Sequence, residues 1–167
     1  MTDNQHKFEP TEEKQAAFRR ALGSFGTGVT VVTVATDTGP LGFTANSFSS
    51  VSLHPPLVQW SLAQASRRHD TFVTAPHFAV HILGQDQVDL AKRFATVGDD
   101  FSNLDWHVGQ HDVPILETCI VRLDCVSYQH FPAGDHSLIL GRVVDVSVHG
   151  GSALIFDQSR YGRFVRF

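Results

Sequence analysis

The residues best suited to chemistry in this sequence lie in one short stretch, Gly42–Ser52, which reads GFTANSFSSVS. Small hydroxyl and amide side chains leave main-chain N–H and C=O groups accessible. A flat heteroaromatic ring with a polar edge needs such a surface, because it takes hydrogen bonds at its edge and close main-chain approach at its face. A serine-rich loop that caps its own backbone has the same composition, and composition alone leaves both interpretations open. The polar members are Thr44, Asn46, Ser47, Ser49, Ser50 and Ser52.

Two basic segments are candidates for binding phosphate. Ser66, Arg67 and Arg68 follow a predicted strand at the start of a predicted helix, where free N–H groups and guanidinium groups favour an anion. Lys92–Phe94 on a later helix could add a further contact. Each segment can equally be the solvated face of a helix.

A third candidate is the sequence Gly134-Asp135-His136 at the start of a long predicted strand. An aspartate beside a histidine at a tight turn can orient the imidazole ring toward a cleft. The alternative is a turn in which glycine and aspartate supply the backbone geometry and His136 has no role.

Other chemistries find no support in the sequence. The ten histidines include His77-x-x-x-His81, but on a strand these two stand too far apart for easy chelation, and no His-Glu-x-x-His motif is present, so we expect no metal site. Cys119 and Cys125 are too far apart on one strand to bridge, and we interpret both as reduced core residues. No Gly-x-Ser-x-Gly motif indicates a hydrolase.

These candidates are positioned by a chain that reads as mainly β. Short strands rich in β-branched residues are separated by turn signals such as Asp37-Thr38-Gly39-Pro40, and few helices intervene, which favours an antiparallel barrel over a doubly wound parallel sheet. We predict strands at Gly28–Thr36, Leu41–Phe48, Leu57–Leu62, His77–Leu83, Thr118–His130, Ser137–His149 and Ser152–Phe156. We predict helices from Thr11 to about Phe25, at Ser66–Thr74 with Ser66 as N-cap, and at Gln85–Val97, and a polar loop at Gly98–Val113.

The last long strand has the clearest period of two. Leu138, Leu140, Val144, Val146 and Val148 fall on one face, and we therefore expect a half-buried antiparallel strand. A turn over Phe131–Asp135 should connect it to the strand before it.

The length and charge of the chain limit which classes of protein it can belong to. The 167 residues suit one domain, which we place at 11–167 after a flexible tail over 1–10. A net charge of −4 argues against a nucleic-acid binder. The polar N-terminus has no signal-peptide pattern, and no apolar run could span a membrane, so we expect no membrane association and a cytoplasmic location.

Taken in order, these segments resemble the short-chain flavin reductases, which are the reductase components of two-component flavin monooxygenases. The resemblance runs from about Phe18 to Phe164. Each motif alone is weak, but their order and spacing are specific. The motifs are Phe25–Thr33 (FGTGVTVVT), Gly42–Ser52, Pro55–Val58 (PPLV), Phe78–Leu83 (FAVHIL), Gln87, Leu90–Phe94 (LAKRF), Gly134–His136 (GDH) and Gly141–Val143 (GRV).

The resemblance implies an FMN-binding split β-barrel with Greek-key-like antiparallel strands and a few short helices. It implies a homodimer, FMN or FAD as the flavin, NADH or NADPH as the hydride donor, and a monooxygenase partner that receives reduced flavin by diffusion. It places His136 on the nicotinamide side, as the catalytic candidate, and a C-terminal aromatic segment, Tyr161–Phe164, near the same cleft. The flavin-binding residues it implies are Thr44, Ala45, Asn46, Ser47, Ser49, Ser50, Gln64, Ser66, Arg67, Arg93, Phe94 and Tyr161.

The sequence departs from the family pattern at two places. Position 81 is histidine where many relatives have asparagine, and Arg67-Arg68 replaces the small hydroxyl residues of some relatives. The second departure leaves FMN and FAD open. Two other functions remain open: a flavin- or haem-binding split barrel without reductase activity, and an enzyme whose bound flavin acts on its own organic substrate.

Overall fold

A computed structural model describes residues 7–166, so that most of the predicted tail, Met1–His6, lies outside the described residues. Three short α-helices accompany twelve strands, and short 3₁₀ turns cover Glu12–Lys14 and Gln110–Asp112. The helices are α1 (Gln15–Leu22), α2 (His69–Thr74) and α3 (Val88–Thr96). The strands are β1 (Thr27–Gly28), β2 (Thr30–Thr36), β3 (Gly39–Ala45), β4 (Ser49–Leu53), β5 (Pro56–Ala63), β6 (His77–Ile82), β7 (Trp106–Val108), β8 (Pro114–Leu116), β9 (Val121–Ala133), β10 (His136–Val148), β11 (Leu154–Asp157) and β12 (Arg160–Arg163).

Seven strands form the main sheet, in the order β3-β2-β6-β9-β10-β5-β4, and every pair in it is antiparallel. A second sheet has the order β1-β11-β12, and β7 pairs with β8. The predicted mainly β, antiparallel fold is therefore confirmed.

The connection between β3 and β4 closes the main sheet into a barrel. These strands lie at opposite edges of the sheet, yet only Asn46–Phe48 separate them in the chain. Four residue steps from Ala45 to Ser49 span at most about 14 Å. The sheet must therefore curl until its two edges meet, and this meeting point is called the seam below.

Two large apolar clusters lie within the described residues, beside a small third one of Ala79, Val113 and Ile115. One is centred on Trp60, Phe72 and Phe78, whose rings meet edge to face inside the barrel. The other packs Ala91 and Phe94 of α3 against the outside of β2 and the start of β11. Burial of these aromatic side chains stabilises the sheet and fixes α3 beside β3.

Several predicted boundaries were displaced. α1 begins at Gln15 after a 3₁₀ turn, and Thr11 makes no side-chain cap. α2 begins only at His69, although the Ser66 hydroxyl accepts a hydrogen bond from the Arg68 N–H at 3.3 Å. The predicted turn Phe131–Asp135 is too long, because β9 continues to Ala133 and the two-residue turn is Gly134-Asp135. Strands β4, β7, β8 and β12 were not predicted.

The predicted burial of β10 is also only half right. The fully buried residues of its first half are Ser137, Ile139 and Gly141, and Leu138 and Leu140 are half-buried on the other face. Two bulges against β9 shift the register along β10. Three valines predicted to be packed are instead 50–71% exposed, namely Val144, Val146 and Val148.

Candidate functional site

The polar stretch predicted from the sequence forms the seam of the barrel. The main-chain groups of Asn46, Ser47 and Phe48 make no backbone hydrogen bond within the described residues. Asn46 and Ser47 are exposed, as are Ser49 and Ser50 on edge strand β4. The seam therefore presents free main-chain donors and acceptors in a row, which the edge of a planar polar ring can use.

Thr44 and Asn46 share a small cavity of about 120 Å³ with two aromatic residues, Phe156 and Tyr161. The Thr44 hydroxyl is already used, since it donates to the Ala91 carbonyl at 2.7 Å and so ties β3 to α3. Ala45 is buried. Of the predicted site residues, the structure thus brings Thr44, Asn46 and Tyr161 together, across a separation of more than a hundred positions in the chain.

The serine hydroxyls at the seam are largely engaged within the protein. Ser47 Oγ accepts from the Ser61 N–H at 2.9 Å and lies 3.2 Å from the Ser61 carbonyl, to which it donates. Ser49 Oγ accepts from the Gln59 amide at 2.9 Å. These side chains hold the loop and β4 against β5, so that the groups left for a ligand at Ser47 are those of its main chain.

Neighbouring arginines at the start of α2 have different surroundings. Arg67 is exposed and makes no side-chain hydrogen bond within residues 7–166. Arg68 Nη1 donates to the carbonyls of Gly42 and Phe94 at 2.9 and 2.8 Å, and its guanidinium lies 5.5 Å from the centre of the Phe43 ring. Burial lowers the pKa of Arg68, and the charge of Asp99 opposes that shift. Arg68 joins β3 to α3, and Arg67 is the member of the pair that is free for a phosphate.

The two candidates on α3 are tied into the fold. Arg93 Nη1 donates to the Ser102 carbonyl at 2.7 Å and lies 3.8 Å from Asp100. Phe94 is fully buried and its ring packs against Phe101. The Phe94 side chain therefore has no surface for a ligand in this conformation, and its cofactor contact stays a prediction.

His136 lies at the mouth of β10 beside the predicted aspartate. Its Nδ1 is 2.7 Å from Asp135 Oδ1, and its side chain is 44% exposed. The hydrogen bond from His136 is the main cause that lowers the pKa of Asp135. His136 pairs with Ala63 of β5, two residues beyond Ser61, so it lies roughly 8 Å from Ser61 on the same outer face.

The surroundings of His136 fix the hairpin. The Gln64 amide donates to the His136 carbonyl at 3.2 Å, and the Gln64 N–H donates to the Asp135 carbonyl at 2.9 Å. His69 Nε2 lies 2.8 Å from the Ser137 hydroxyl, and its Nδ1 lies 2.8 Å from Asp70. The predicted Gln64 thus positions the hairpin main chain, and His69 is a neighbour that sequence analysis missed.

A larger groove of about 740 Å³ runs along the C-terminal hairpin and includes Gly26, Tyr161 and Phe164. Tyr161 lines this groove and also the cavity it shares with Thr44 and Asn46. Burial raises the pKa of its phenol, so the hydroxyl stays protonated at neutral pH. The unpredicted β12 carries Tyr161, and the alternating pattern was too short there to reveal a strand.

The titratable residues that face the core are structural. His81 is buried, accepts from the Leu116 N–H at its Nε2 and contacts the Val31 carbonyl through Nδ1, and burial lowers its pKa to about 3. Both cysteines are free and buried, and burial raises their pKa values, which confirms the interpretation of Cys119 and Cys125 as reduced core residues. Within residues 7–166, no set of three or more potential metal ligands comes together, and no helix is long and apolar enough to cross a membrane.

Comparison with known proteins defines the class. The flavin reductase like domain matches residues 22–164, which is most of the chain. The chain therefore belongs to the flavin reductase family, and the resemblance inferred from the sequence motifs is confirmed.

Individual relatives agree with this assignment. The chain is 46% identical to the FMN reductase (NADH) SmoA of Agrobacterium fabrum, over 98% of this chain and 94% of that protein. It is 43% identical to the reductase component of a flavin-dependent trigonelline monooxygenase of Acinetobacter baylyi, over 86% of this chain but only 47% of that protein. A Streptomyces globisporus NADH:FAD oxidoreductase, SgcE6, in complex with NAD and FAD fragments, superposes with a TM-score of 0.89 at 34% identity and covers 96% of this chain and 98% of that one.

Proposed function

We propose that this protein is an NAD(P)H-dependent flavin reductase that binds FMN or FAD along the seam of the barrel. The observation that carries the proposal is the row of free main-chain groups at Asn46–Phe48, next to the aromatic pair Phe156 and Tyr161. A planar ring with a polar edge fits that combination of aromatic surface and free main-chain groups. The family assignment and the NADH-dependent FMN reductase among the relatives support the same conclusion.

The bound flavin supplies a hydride acceptor, and NAD(P)H supplies the hydride. The protein contributes binding, orientation and electrostatics. Main-chain N–H groups at Asn46 and Ser47 stabilise the negative charge that accumulates on the reduced ring, and they are preorganised because Ser47 is fixed to Ser61. No side chain is required as a general base, so mutations should cause graded losses.

Arg67 is our candidate for the flavin phosphate, supported by its exposure and its freedom from internal partners in the described part of the chain. Ser66 lies beside it. Arg93 holds the Asp100–Ser102 loop in this conformation, and its contact with the flavin would require release of the Ser102 carbonyl. Phosphate binding is therefore proposed to rest on Arg67 first.

His136 is our candidate for the nicotinamide. In the tautomer whose Nδ1–H donates a hydrogen bond to Asp135, the Nε2 atom of His136 carries no proton. Nε2 can then accept a hydrogen bond from the carboxamide N–H₂ group. The position of His136 on the outer face, near Ser61 and therefore near the seam, supports this role. The expected effect of the histidine is orientation of the nicotinamide above the flavin.

We also propose a homodimer. β5 pairs with β10 only as far as Arg142, so β10 beyond this point has one edge without a strand partner in the described chain. Exposed apolar side chains cover the same region, with Val146 at 50%, Val148 at 71% and Leu53 of β4 at 82% exposed. A second copy is the partner that would cover this edge, and sedimentation that shows an active monomer at micromolar concentration would contradict it.

The remaining elements of the proposal follow from the class. We propose that the reduced flavin passes by diffusion to a monooxygenase, and two relatives that are reductase components of monooxygenases support such a partner. We place this one-domain enzyme in the cytoplasm, where NADH is available. We also propose that neither a nucleic acid nor a membrane takes part in its function.

A steady-state assay tests the proposal. Purified protein is mixed with NADH or NADPH and with FMN, FAD or riboflavin in turn, and nucleotide oxidation is followed by absorbance. Oxidation that depends on added flavin supports the reductase. Tight flavin binding without oxidation indicates a flavin-binding module. Oxidation that needs an organic substrate indicates an enzyme with a resident flavin.

A further inference from the structure

Helix α1 carries a basic cavity that none of the flavin-binding candidates uses. The cavity has a volume of about 220 Å³ and is lined by Gln15, Ala16, Arg19, Arg20 and Ser159. Within residues 7–166, neither guanidinium forms an ion pair or donates a hydrogen bond, and the Ser159 hydroxyl has no partner either. Two adjacent free guanidinium groups with a hydroxyl are a donor set that suits a phosphate.

The cavity has a defined wall on its second side. The Gln158 N–H donates to the Gly23 carbonyl at 2.8 Å, which holds the end of α1 against the turn between β11 and β12. Gln158 and Ser159 both have positive φ angles, of 44° and 64°. Such conformations are uncommon outside glycine, so this turn has a specific shape that presents Ser159 to the arginines.

The cavity also adjoins the groove that leads to the proposed flavin site. Gln158, the neighbour of Ser159, lines the groove that contains Tyr161, and Tyr161 also lines the cavity shared by Thr44 and Asn46. The hydrogen bond from His136 is the largest, and Arg19 the smallest, of the causes that lower the pKa of Asp135, the residue that contacts His136 Nδ1 at 2.7 Å. The basic cavity and the proposed flavin site are therefore connected along the C-terminal hairpin.

We propose that Arg19, Arg20 and Ser159 bind a phosphate group of the nicotinamide nucleotide. This inference rests on the proposed reductase function and extends it to the recognition of the hydride donor. The phosphate can be the diphosphate shared by NADH and NADPH or the 2′-phosphate of NADPH alone. No residue of α1 is buried, so substitutions there leave the core intact.

The test compares the double variant R19A/R20A with Lys14→Ala, which removes one positive charge from the same segment outside the cavity. Loss of charge-assisted hydrogen bonds should raise the KM for the nucleotide roughly tenfold, with kcat and flavin affinity within about twofold of the unmodified protein. Lys14→Ala should leave all three values unchanged. The pair R19K/R20K should recover part of the loss, because it keeps the charge but not the planar fork.

Assays with both nucleotides identify the phosphate. An equal rise in KM for NADH and NADPH would show that the arginines bind the diphosphate. A rise confined to NADPH would show that they bind the 2′-phosphate. Unchanged KM values for both nucleotides would overturn the inference, as would a fall in flavin affinity as large as the rise in KM.

Calorimetric titration with ADP and with 2′,5′-ADP separates this inference from the proposed function. If the unmodified protein fails to oxidise either nucleotide, the proposed function fails. Binding of either probe that is lost in R19A/R20A and kept in Lys14→Ala would still support the phosphate site. Binding of neither probe, or binding unaffected by the double substitution, would refute it.

Discussion

The adjacent arginines at the start of α2 offer the sharpest test of the structure. Substitution of Arg68 should lower the stability of the fold, whereas substitution of Arg67 should lower the affinity for flavin. Arg68 donates to the Gly42 carbonyl at 2.9 Å and the Phe94 carbonyl at 2.8 Å, with a longer contact to the Ala95 carbonyl at 3.3 Å. Arg67 has none of these contacts. Methionine at either position keeps the length of an unbranched side chain and removes the charge, so the two variants are matched.

The expected loss in Arg68→Met follows from the contacts. A hydrogen bond to a charged group contributes about 1.5–3 kcal/mol, and the partial exposure of Arg68 favours the lower end for each of the two short bonds. The free energy of unfolding should therefore fall by about 3 kcal/mol. For a domain of this size, that corresponds to a decrease in Tm of about 6–12 °C.

Arg67→Met should behave differently. The free energy of unfolding should change by less than about 0.5 kcal/mol, because the side chain is exposed. Flavin affinity should decrease, because Arg67 is the free cation at the proposed phosphate position.

Urea unfolding of the flavin-free protein, followed by tryptophan fluorescence, measures the first effect, and fluorescence titration with FMN and FAD measures the second. Equal stability in the two variants would show that Arg68 does not hold β3 to α3. A larger loss of flavin affinity in a folded Arg68→Met than in Arg67→Met would reverse the assignment of the pair.

Three further predictions concern single residues. His136→Ala should raise the KM for NADH about five- to tenfold with little change in flavin affinity, as measured by steady-state kinetics and flavin titration; an equal loss of flavin affinity would assign His136 to the flavin. Asn46→Ala should weaken flavin binding more than Ser24→Ala, an exposed control, and equal affinities would indicate that the seam is structural. His81 should make stability depend on pH. Its pKa in the folded protein is about 3 against an ordinary 6.5, so the unfolded chain binds one more proton between these values, and the free energy of unfolding should fall by up to about 1.4 kcal/mol per unit as the pH falls from 6.5 toward 3. His81→Asn should remove that dependence in urea titrations at pH 7 and 4.5, and an unchanged slope would contradict it.

The sequence alone located the polar stretch that forms the seam and the turn before His136, because both depend on local chemistry. Small polar residues between apolar strands predict an accessible main chain, whatever the arrangement of the strands. Glycine followed by aspartate predicts a tight turn, and Gly134 has a φ of 64° in that turn. The period of two identified most of β10, since alternation reflects the two faces of a strand. Runs of β-branched residues bounded by turn signals indicated the shorter strands.

The sequence could not show which side chains are free to bind a ligand. Arg67 and Arg68 are identical in type and adjacent, and only the packing of α3 against β3 decides that Arg68 is held by carbonyl groups. Phe94 matched the family motif, yet burial against Phe101 removes its side chain from any surface. Such outcomes depend on contacts between distant segments, which a local pattern does not contain.

Tertiary structure also decided which distant residues meet at the candidate site. Thr44 and Tyr161 meet only because β12 pairs with β11 and the edges of the main sheet close at the seam. The valines of β10 have the alternation of a buried strand, but β5 stops before them and leaves them exposed. Alternation identifies which residues share a face, whereas the length and register of the neighbouring strands determine whether that face is covered within one chain.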